Sequence, residues 1–302
     1  MSHQGGDVPR LVCVQGEVAE DGSLPIYRHP ADESPSLLPF SPYVSSIRDE
    51  VEKRLGHTVN HVLIQFYRGG TDHITEHSDK SLDIVPHTFI ANVSLGAQRT
   101  MVFRTKKAAK VDGTSDNPTT PRTIIRAPLP HNSMCKMGLV TNMRWLHGIR
   151  QDKRMASEKS QSELAFDGGR ISLTFRLIGT FLDKHQQKIW GQGATSKTRN
   201  TANTVINGDT PEAESMIRAF GTENHSSEFD WNKVYGQGFD VLHISNSPKL
   251  FLSGDNIEDQ RVMLALAEYG IKWYVTSPIP LPPRFMGFSR LFISHDTVAL
   301  AL

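Results

Sequence analysis

Short apolar runs separated by turn-forming residues fill much of the chain, and one amphipathic stretch precedes them. Val44, Ile47, Val51 and Leu55 recur at helical spacing between Ser41-Pro42, an N-cap followed by proline at the first helical position, and Gly56, a stop. This pattern predicts a helix over 42–55. From His61 onward the runs HVLIQFY, FIANVSL, TMVFRTK, TIIRAPL, SMCKMGL and ISLTFRLIG are rich in β-branched and aromatic residues and are bounded by Gly, Pro, Asn or Asp. Such a series predicts the strands of a largely antiparallel sandwich or barrel. Upstream, Leu11 to Val14 and Gly16 to Val18 predict a short hairpin, followed by an irregular Pro-rich stretch from Pro25 to Pro42.

Two polar segments interrupt the series. Lys106 to Pro121 reads as a long hairpin loop, and Gln151 to Gly169 as a charged insertion, part helical; both read as solvated surface. Past Phe181 the texture changes. A polar, loop-like stretch leads to Thr210-Pro211, which starts a helix through Met216 and Phe220 that stops at Gly221. FDVLHIS, KLFLSG, the helical stretch Ile257 to Tyr269 and IKWYVTS then predict a small α/β unit. The expected organisation is a core of residues 1–181 and a C-terminal extension or lid subdomain of residues 182–302. Gly191-Gln192-Gly193 reads as a turn, because neither Gly-Lys-Ser/Thr nor a Rossmann context follows it.

Composition narrows the class. At 38% hydrophobic and 22% charged residues over 302 positions, the chain falls among soluble globular proteins. A net charge of +1 provides no global field toward nucleic acid or an anionic membrane. With only Cys13 and Cys135 there is no disulfide framework and no thiolate zinc cage, which suggests a reducing compartment. MSHQGGDVPR lacks the apolar region of a signal peptide, and no run approaches the roughly 18 apolar residues of a membrane span. The expectation is an intracellular protein, cytoplasmic or nuclear, with no membrane partner; its oligomeric state stays open.

The stretch TDHITEHSDK, residues 71–80, concentrates the candidate chemistry. Iron sites that activate oxygen use two imidazoles and one carboxylate on one face of the metal. In extended backbone, residues two apart project to the same side, so His77 and Asp79 offer two such ligands. The third must return from a distant strand, with His131, His147 and His185 as candidates. His147 is preferred because it follows an apolar run and precedes another strand, whereas His131 sits in a turn and His185 lies beyond the strand series. Asp72 and His73 read as a turn and strand entry. On its own, His-x-Asp is more often a hydrated turn. Arg170 and Arg176 change that balance, because their spacing along ISLTFR puts both on one face of a strand. A buried guanidinium needs an anion and its fork matches a carboxylate, so the pair suits a dicarboxylate cosubstrate.

Taken in order, NHVLIQFYRGGTDHITEHSD, SLGAQRTMVFRTK, LPHNSMCKMGLVTNMRWLH and RISLTFR resemble the AlkB-like branch of the Fe(II)/2-oxoglutarate-dependent dioxygenases, over about residues 11–181. The resemblance implies an α+β fold with a double-stranded β-helix (jelly-roll) core, flanking helices and here a C-terminal α/β extension. It implies that His77, Asp79 and His147 bind Fe(II), that Arg170 grips the distal carboxylate of 2-oxoglutarate with Tyr67 nearby, and that Arg176 sits near the cosubstrate's metal-binding end. The implied reaction consumes O2, splits 2-oxoglutarate into succinate and CO2, and oxidises a substrate C–H bond. Gln65 departs from the pattern, standing where the family usually has an asparagine that contacts 2-oxoglutarate. Val14-Gln15-Gly16 is the counterpart of a finger that duplex-repair members tip with apolar residues, and a polar Gln15 would make a poor wedge. The stretch between His147 and Arg170 is longer than in the repair members, and the region after Phe181 has no counterpart in them.

Two substrate classes follow. The preferred one is a small molecule, such as an amino-acid-derived metabolite, oxidised in a pocket closed by the extension, with Trp231, Tyr235, Phe239, Trp273, Phe285 and Phe288 as candidate lid or core aromatics. The alternative is oxidative dealkylation of N-alkylated bases in DNA or RNA, where a hydroxylated N-methyl group releases formaldehyde. Arg104, Lys106, Lys107 and Lys110 favour that alternative; the near-neutral charge and Gln15 weigh against it. A scaffold without turnover fits poorly with an intact ligand and arginine set.

Overall fold

The computed structural model describes residues 10–29, 35–107 and 122–244, together with the backbone of Leu250–Leu252, Trp273–Val275, Phe292–Ser294 and Thr297–Ala299. The chain begins with strands β1 (Leu11–Gly16), β2 (Leu24–Pro25) and β3 (Leu37–Pro39), followed by helix α1 (Pro42–Leu55). Next come β4 (His61–Tyr67), β5 (Ile74–His77), β6 (Phe89–Gly96), β7 (Arg99–Thr105), β8 (Ile124–Leu129) and β9 (Ser133–Gly138). Helix α2 (Leu139–Arg144) leads into β10 (Trp145–Ile149), and a single-turn helix α3 (Gln161–Leu164) precedes β11 (Arg170–Arg176). Beyond these lie β12 (Thr180–Leu182), β13 (Lys188–Gly191), β14 (Asn203–Thr204), β15 (Ile206–Asn207), helices α4 (Pro211–His225) and α5 (Trp231–Tyr235), and β16 (Val241–His243).

Two sheets form the jelly-roll core, ordered β3-β1-β4-β11-β6-β9 and β5-β10-β7-β8. Strand periodicity assigns the two faces of the larger sheet. On the outer face Val62, Ile64, Ala91, Val93, Ile171, Leu173 and Phe175 pack against Val44, Val51 and Leu55 of α1. Each fully buried aliphatic or aromatic side chain there contributes about 1.5–3 kcal/mol of hydrophobic stabilisation. On the inner face Tyr67 and Cys135 meet Met101, Leu129 and Ile149 of the smaller sheet. Helix α1 has the punctuation its sequence demands: the Val44 amide donates to Ser41 Oγ, and Gly56 ends it at φ 79°.

Three expectations are corrected. Residues 11–16 form one strand between β3 and β4, with no hairpin, and Gln15 lies within it, fully buried and accepting from the Ser41 amide at 2.9 Å. Gly16 permits a close approach and makes no turn, since a Cβ there would sit 2.9 Å from the Asn60 carbonyl oxygen. Helix α4 runs through Gly221 to His225. The 151–169 insertion does contain helical turns, closed by a reciprocal capping box between Ser160 and Glu163. Residues 108–121 and the predicted helix Ile257 to Tyr269 lie outside the described residues.

The residues after β11 are joined to the core by a buried ion pair. Arg28 donates Nε and Nη2 to the Asp83 carboxylate, Nη1 to the Phe239 and Val241 carbonyls, and Nη2 again to the Gly193 carbonyl. All five guanidinium donors are thereby used, which is the condition under which burying this charge is tolerable. A Cβ on Gly193 would lie 2.3 Å from Asp83 Oδ1, so the glycine in this turn is required by the ion pair.

His61 makes stability pH-dependent. It is 4% exposed, its Nδ1 has no hydrogen-bond partner, and burial, aided by the Arg176 and His29 charges, pulls its pKa down to about 3. Unfolded, it titrates near 6.5, so below that pH the unfolded chain binds the extra proton. Its contribution is fully present above pH 6.5 and is lost as pH falls toward 3. Urea denaturation between pH 7 and pH 5 should show wild type losing up to about 1 kcal/mol per pH unit more than His61→Gln. Parallel pH profiles would exclude His61 as the group responsible.

Candidate active site

Between the two sheets lies a pocket lined from β4, β5, β6, β7, β9, β10 and β11, together with Asp79 just past β5. Among the described residues, nothing beyond Arg176 lines it. Strand β11 is buried on both faces, and its alternation sends Arg170, Ser172, Thr174 and Arg176 into the pocket while Ile171, Leu173 and Phe175 face α1.

His77 ends β5, His147 lies opposite it in β10, and Asp79 follows just past the strand end. One ligand atom from each falls within 4.8 Å of the others, and among the described residues this is the group of His, Cys, Asp and Glu able to hold a metal. Nε2 of His77 and of His147 stand 3.7 and 3.8 Å from Asp79 Oδ1. His77 Nδ1 lies 2.8 Å from the Thr75 carbonyl, a contact that would keep an N–H there and free Nε2 to ligate a metal. Burial pulls the His147 pKa down to about 3, so its imidazole is neutral and able to ligate. Burial alone would raise the Asp79 pKa, but the Arg176 guanidinium holds it well below the usual carboxylate range.

Arg176 donates both Nε and Nη2 to Asp79 Oδ2, at 3.0 and 2.7 Å, which turns Oδ1 toward the imidazoles; its Nη1 has no partner. Arg170 is 1% exposed and only half satisfied. Its Nη2 donates to Ser94 Oγ at 2.7 Å and Asn92 Oδ1 at 3.2 Å, while Nε and Nη1 have no partner. Burial pulls its pKa down to about 10, which still leaves it cationic at neutral pH. Orphaned donors on a buried guanidinium leave a charge that an anion such as a carboxylate would meet. Tyr67 places its ring 5.2 Å from the Arg170 guanidinium carbon. The Gln65 amide is best oriented with its oxygen accepting from Arg10 Nε at 2.7 Å, which leaves its nitrogen facing the Tyr67 hydroxyl.

The other sequence candidates lie elsewhere. His131 accepts from the Gly96 amide and stacks on Phe166, His185 is exposed in a turn, and Asp72 is bound to Arg68. The basic cluster is weaker than its composition implied. Lys106 is buried and donates to the Glu223 carbonyl, Arg104 is paired with Glu76, and Lys110 lies outside the described residues. Sequence reasoning missed Asn142, whose side-chain amide accepts from the Asp79 amide and donates to the Asp79 carbonyl at 2.9 and 2.8 Å. It also missed Tyr27, Glu223 and Asn224, which bond the neighbouring residues of the same loop. No local pattern announces a side chain that pairs with backbone so far away in sequence.

Residues 1–176 match the profile of the 2OG-Fe(II) oxygenase superfamily, and the chain belongs to that superfamily. Within it, the sequence is similar to "DNA oxidative demethylase ALKBH2" of Homo sapiens, 36% identical over 143 residues, covering 47% of this chain and 49% of that protein. It is also similar to "Alpha-ketoglutarate-dependent dioxygenase alkB homolog 3" of Rattus norvegicus, 29% identical over 170 residues, covering 56% of this chain and 50% of that protein. These relatives place it in the AlkB-like branch, and the chain spans about half the length of the curated relatives it matches. A solved structure titled "The structure of OsALKBH1" aligns at 16% identity with a TM-score of 0.29, over 46% of this chain and 66% of that one. Fe(II), 2-oxoglutarate and O2 come with the family, and the site fits them: two imidazoles converge on a carboxylate, and a buried guanidinium keeps two donors free.

Removing Arg176 would leave Asp79 buried without its counter-charge. Arg176→Met should lower the stability of the metal-free protein by about 3–5 kcal/mol, measured by urea denaturation in the presence of chelator. An unchanged midpoint would show that Asp79 does not depend on this arginine.

Proposed function

We propose that the chain is an Fe(II)/2-oxoglutarate-dependent dioxygenase that removes N-alkyl groups oxidatively from bases of DNA or RNA. The observation carrying this reading is the similarity to a DNA oxidative demethylase over 47% of the chain. The small-molecule preference drawn from the sequence is thereby reversed. That preference needed an extension closing the pocket, yet Tyr235 and Phe239 pack with Phe220 and Leu82, with Trp231 against them, and none of these lines the pocket. The side chains of Trp273, Phe285 and Phe288 lie outside those described. Gln15, buried in β1, no longer weighs against nucleic acid, because it is not the tip of a finger. No helix among the described residues is long and apolar enough to cross a membrane, and a nuclear or cytoplasmic setting suits the proposed substrate.

In this reading His77, Asp79 and His147 hold the iron, and Arg170, with Tyr67 and Gln65 beside it, holds the distal carboxylate of 2-oxoglutarate. When bound, the metal and cosubstrate supply oxygen activation, coupled to decarboxylation of 2-oxoglutarate to succinate, for oxidation of a C–H bond. The chain's own task is positioning. Arg176 keeps Asp79 ionised and aims one of its oxygens, and the His77 tautomer is fixed by the Thr75 carbonyl. The apolar wall around Ile74, Met101 and Ile149 limits water beside the ligands. An N-methyl carbon gains one oxygen to become N–CH2OH, and its C–N bond then breaks to leave N–H and formaldehyde. Residues 1–181 are taken as the catalytic core and 182–302 as the C-terminal extension.

Asp79→Ala or His77→Ala should abolish iron-dependent succinate formation, and near-normal turnover in either would refute the ligand assignment. Arg170→Ala should raise the 2-oxoglutarate KM by roughly 10²-fold, about 3 kcal/mol; an unchanged KM would remove Arg170 from the cosubstrate site.

The substrate is tested separately. N-methylated oligonucleotides should release formaldehyde in step with succinate, and their binding should weaken with salt along a slope of about −0.7 to −0.9 per phosphate contacted. Succinate formation stimulated by free amino acids but not by oligonucleotides would overturn the nucleic-acid reading.

A further inference from the structure

The loop that carries Asp79 has no strand partner for its backbone. Strand β5 ends at His77, and each of the next four amides instead donates to a side chain from a distant part of the chain. Ser78 N donates to Asn224 Oδ1 at 3.0 Å, Asp79 N to Asn142 Oδ1 at 2.9 Å, Lys80 N to the Tyr27 hydroxyl at 2.9 Å, and Ser81 N to Glu223 Oε1 at 3.0 Å. Two of the four acceptors are consecutive residues in the last turn of α4, beyond the 1–176 region that matches the oxygenase profile.

The same two residues hold the loop's side chains. Asn224 Oδ1 also accepts from Ser78 Oγ at 3.4 Å and Lys80 Nζ at 3.3 Å, and Glu223 Oε1 accepts from Ser81 Oγ at 2.5 Å. Glu223 is itself fixed, with the Tyr235 hydroxyl donating to its other oxygen and Lys106 Nζ to its backbone carbonyl, each at 2.5 Å. Trp231 Nε1 donates to the Ser81 carbonyl at 3.2 Å, and Leu82, fully buried, packs among Ala213, Met216, Ala219 and Phe220 of α4. The C-terminal segment therefore grips residues 78–82 from behind, on the side away from the pocket.

We infer that Asn224, supported by Glu223, is a positioning residue for the iron-ligating loop, so that α4 sets where Asp79 stands. The inference rests on the ligand assignment proposed above. Neither residue lines the pocket, so their effect reaches the metal only through residues 78–81.

The test uses the full chain, stripped of metal and titrated with Co(II), following its visible absorption. Asn224→Ala should weaken Co(II) binding by roughly ten- to a hundredfold. Asn224→Asp, which keeps an oxygen in place to accept the Ser78 amide, should return it to within a few-fold of wild type. In turnover, Asn224→Ala should raise the Fe(II) requirement and leave the 2-oxoglutarate KM unchanged, a split that general loosening of the fold would not produce. Wild-type Co(II) affinity in a folded Asn224→Ala protein, with affinity lost in Asp79→Ala, would overturn the positioning role alone. Undiminished affinity in Asp79→Ala would instead overturn the ligand assignment. Hydrogen exchange on the unmodified protein is an independent check. The Ser78 and Ser81 amides should exchange in step with α4, and exchange in step with β5 and β10 would count against the inference.

Discussion

A carboxylate 4% exposed costs several kcal/mol to bury unless a cation and hydrogen bonds meet it, and at Asp79 both come from one side chain. Arg176 directs two donors to a single oxygen, Oδ2, so the other is left to the two imidazoles. That ion pair ties a loop residue to the central strand of the larger sheet. Because β11 alternates strictly, a slip of one residue would turn Arg170 and Arg176 toward α1 and bring Ile171, Leu173 and Phe175 into the pocket. The apolar packing of α1 on those three residues thus sets the register that places both arginines. The outer hydrophobic layer and the polar site are two readings of one strand.

What the sequence made legible follows from this. Period-two strands, a punctuated helix and a double-arginine strand are local patterns, and each reappears where its spacing placed it, whereas Asp79, read as extended alongside His77, stands in a loop just past β5. The failures share a physical cause: a residue type that usually marks one environment served another because of a distant contact. Gln15 looked like a turn residue and is buried, because its side-chain oxygen takes the Ser41 amide. Gly221 looked like a helix stop, yet Phe220 and Glu223 are buried on either side of it and the helix continues. Lys106 looked like solvated surface, but its ammonium group reaches a helix-end carbonyl. In each case tertiary pairing overrode a local preference.

The ligand loop shows the limit most clearly. Its four amides would be costly to bury unpaired, at about 1–3 kcal/mol each. The acceptors that satisfy them lie 146, 63, 53 and 142 positions away. A strand partner could have been inferred from alternation, whereas four separate side chains could not. Such a loop can place a carboxylate at an angle no strand would give, and it depends on every element that supplies an acceptor.

The route by which the C-terminal segment meets the core also bears on what can enter. Among the described aromatic residues of that segment, Trp231, Tyr235 and Phe239 are committed behind the loop, gathered around Leu82, and none of the three lines the cavity. In the proposed reading these described residues would steady the ligand loop from behind and would not cover the pocket. That division suits a large substrate that presents one small reactive group, as a nucleic acid does when a base leaves its stack. A small metabolite would call for the opposite arrangement, with aromatic surface drawn over the pocket to exclude water and with the ligand loop held by the core alone.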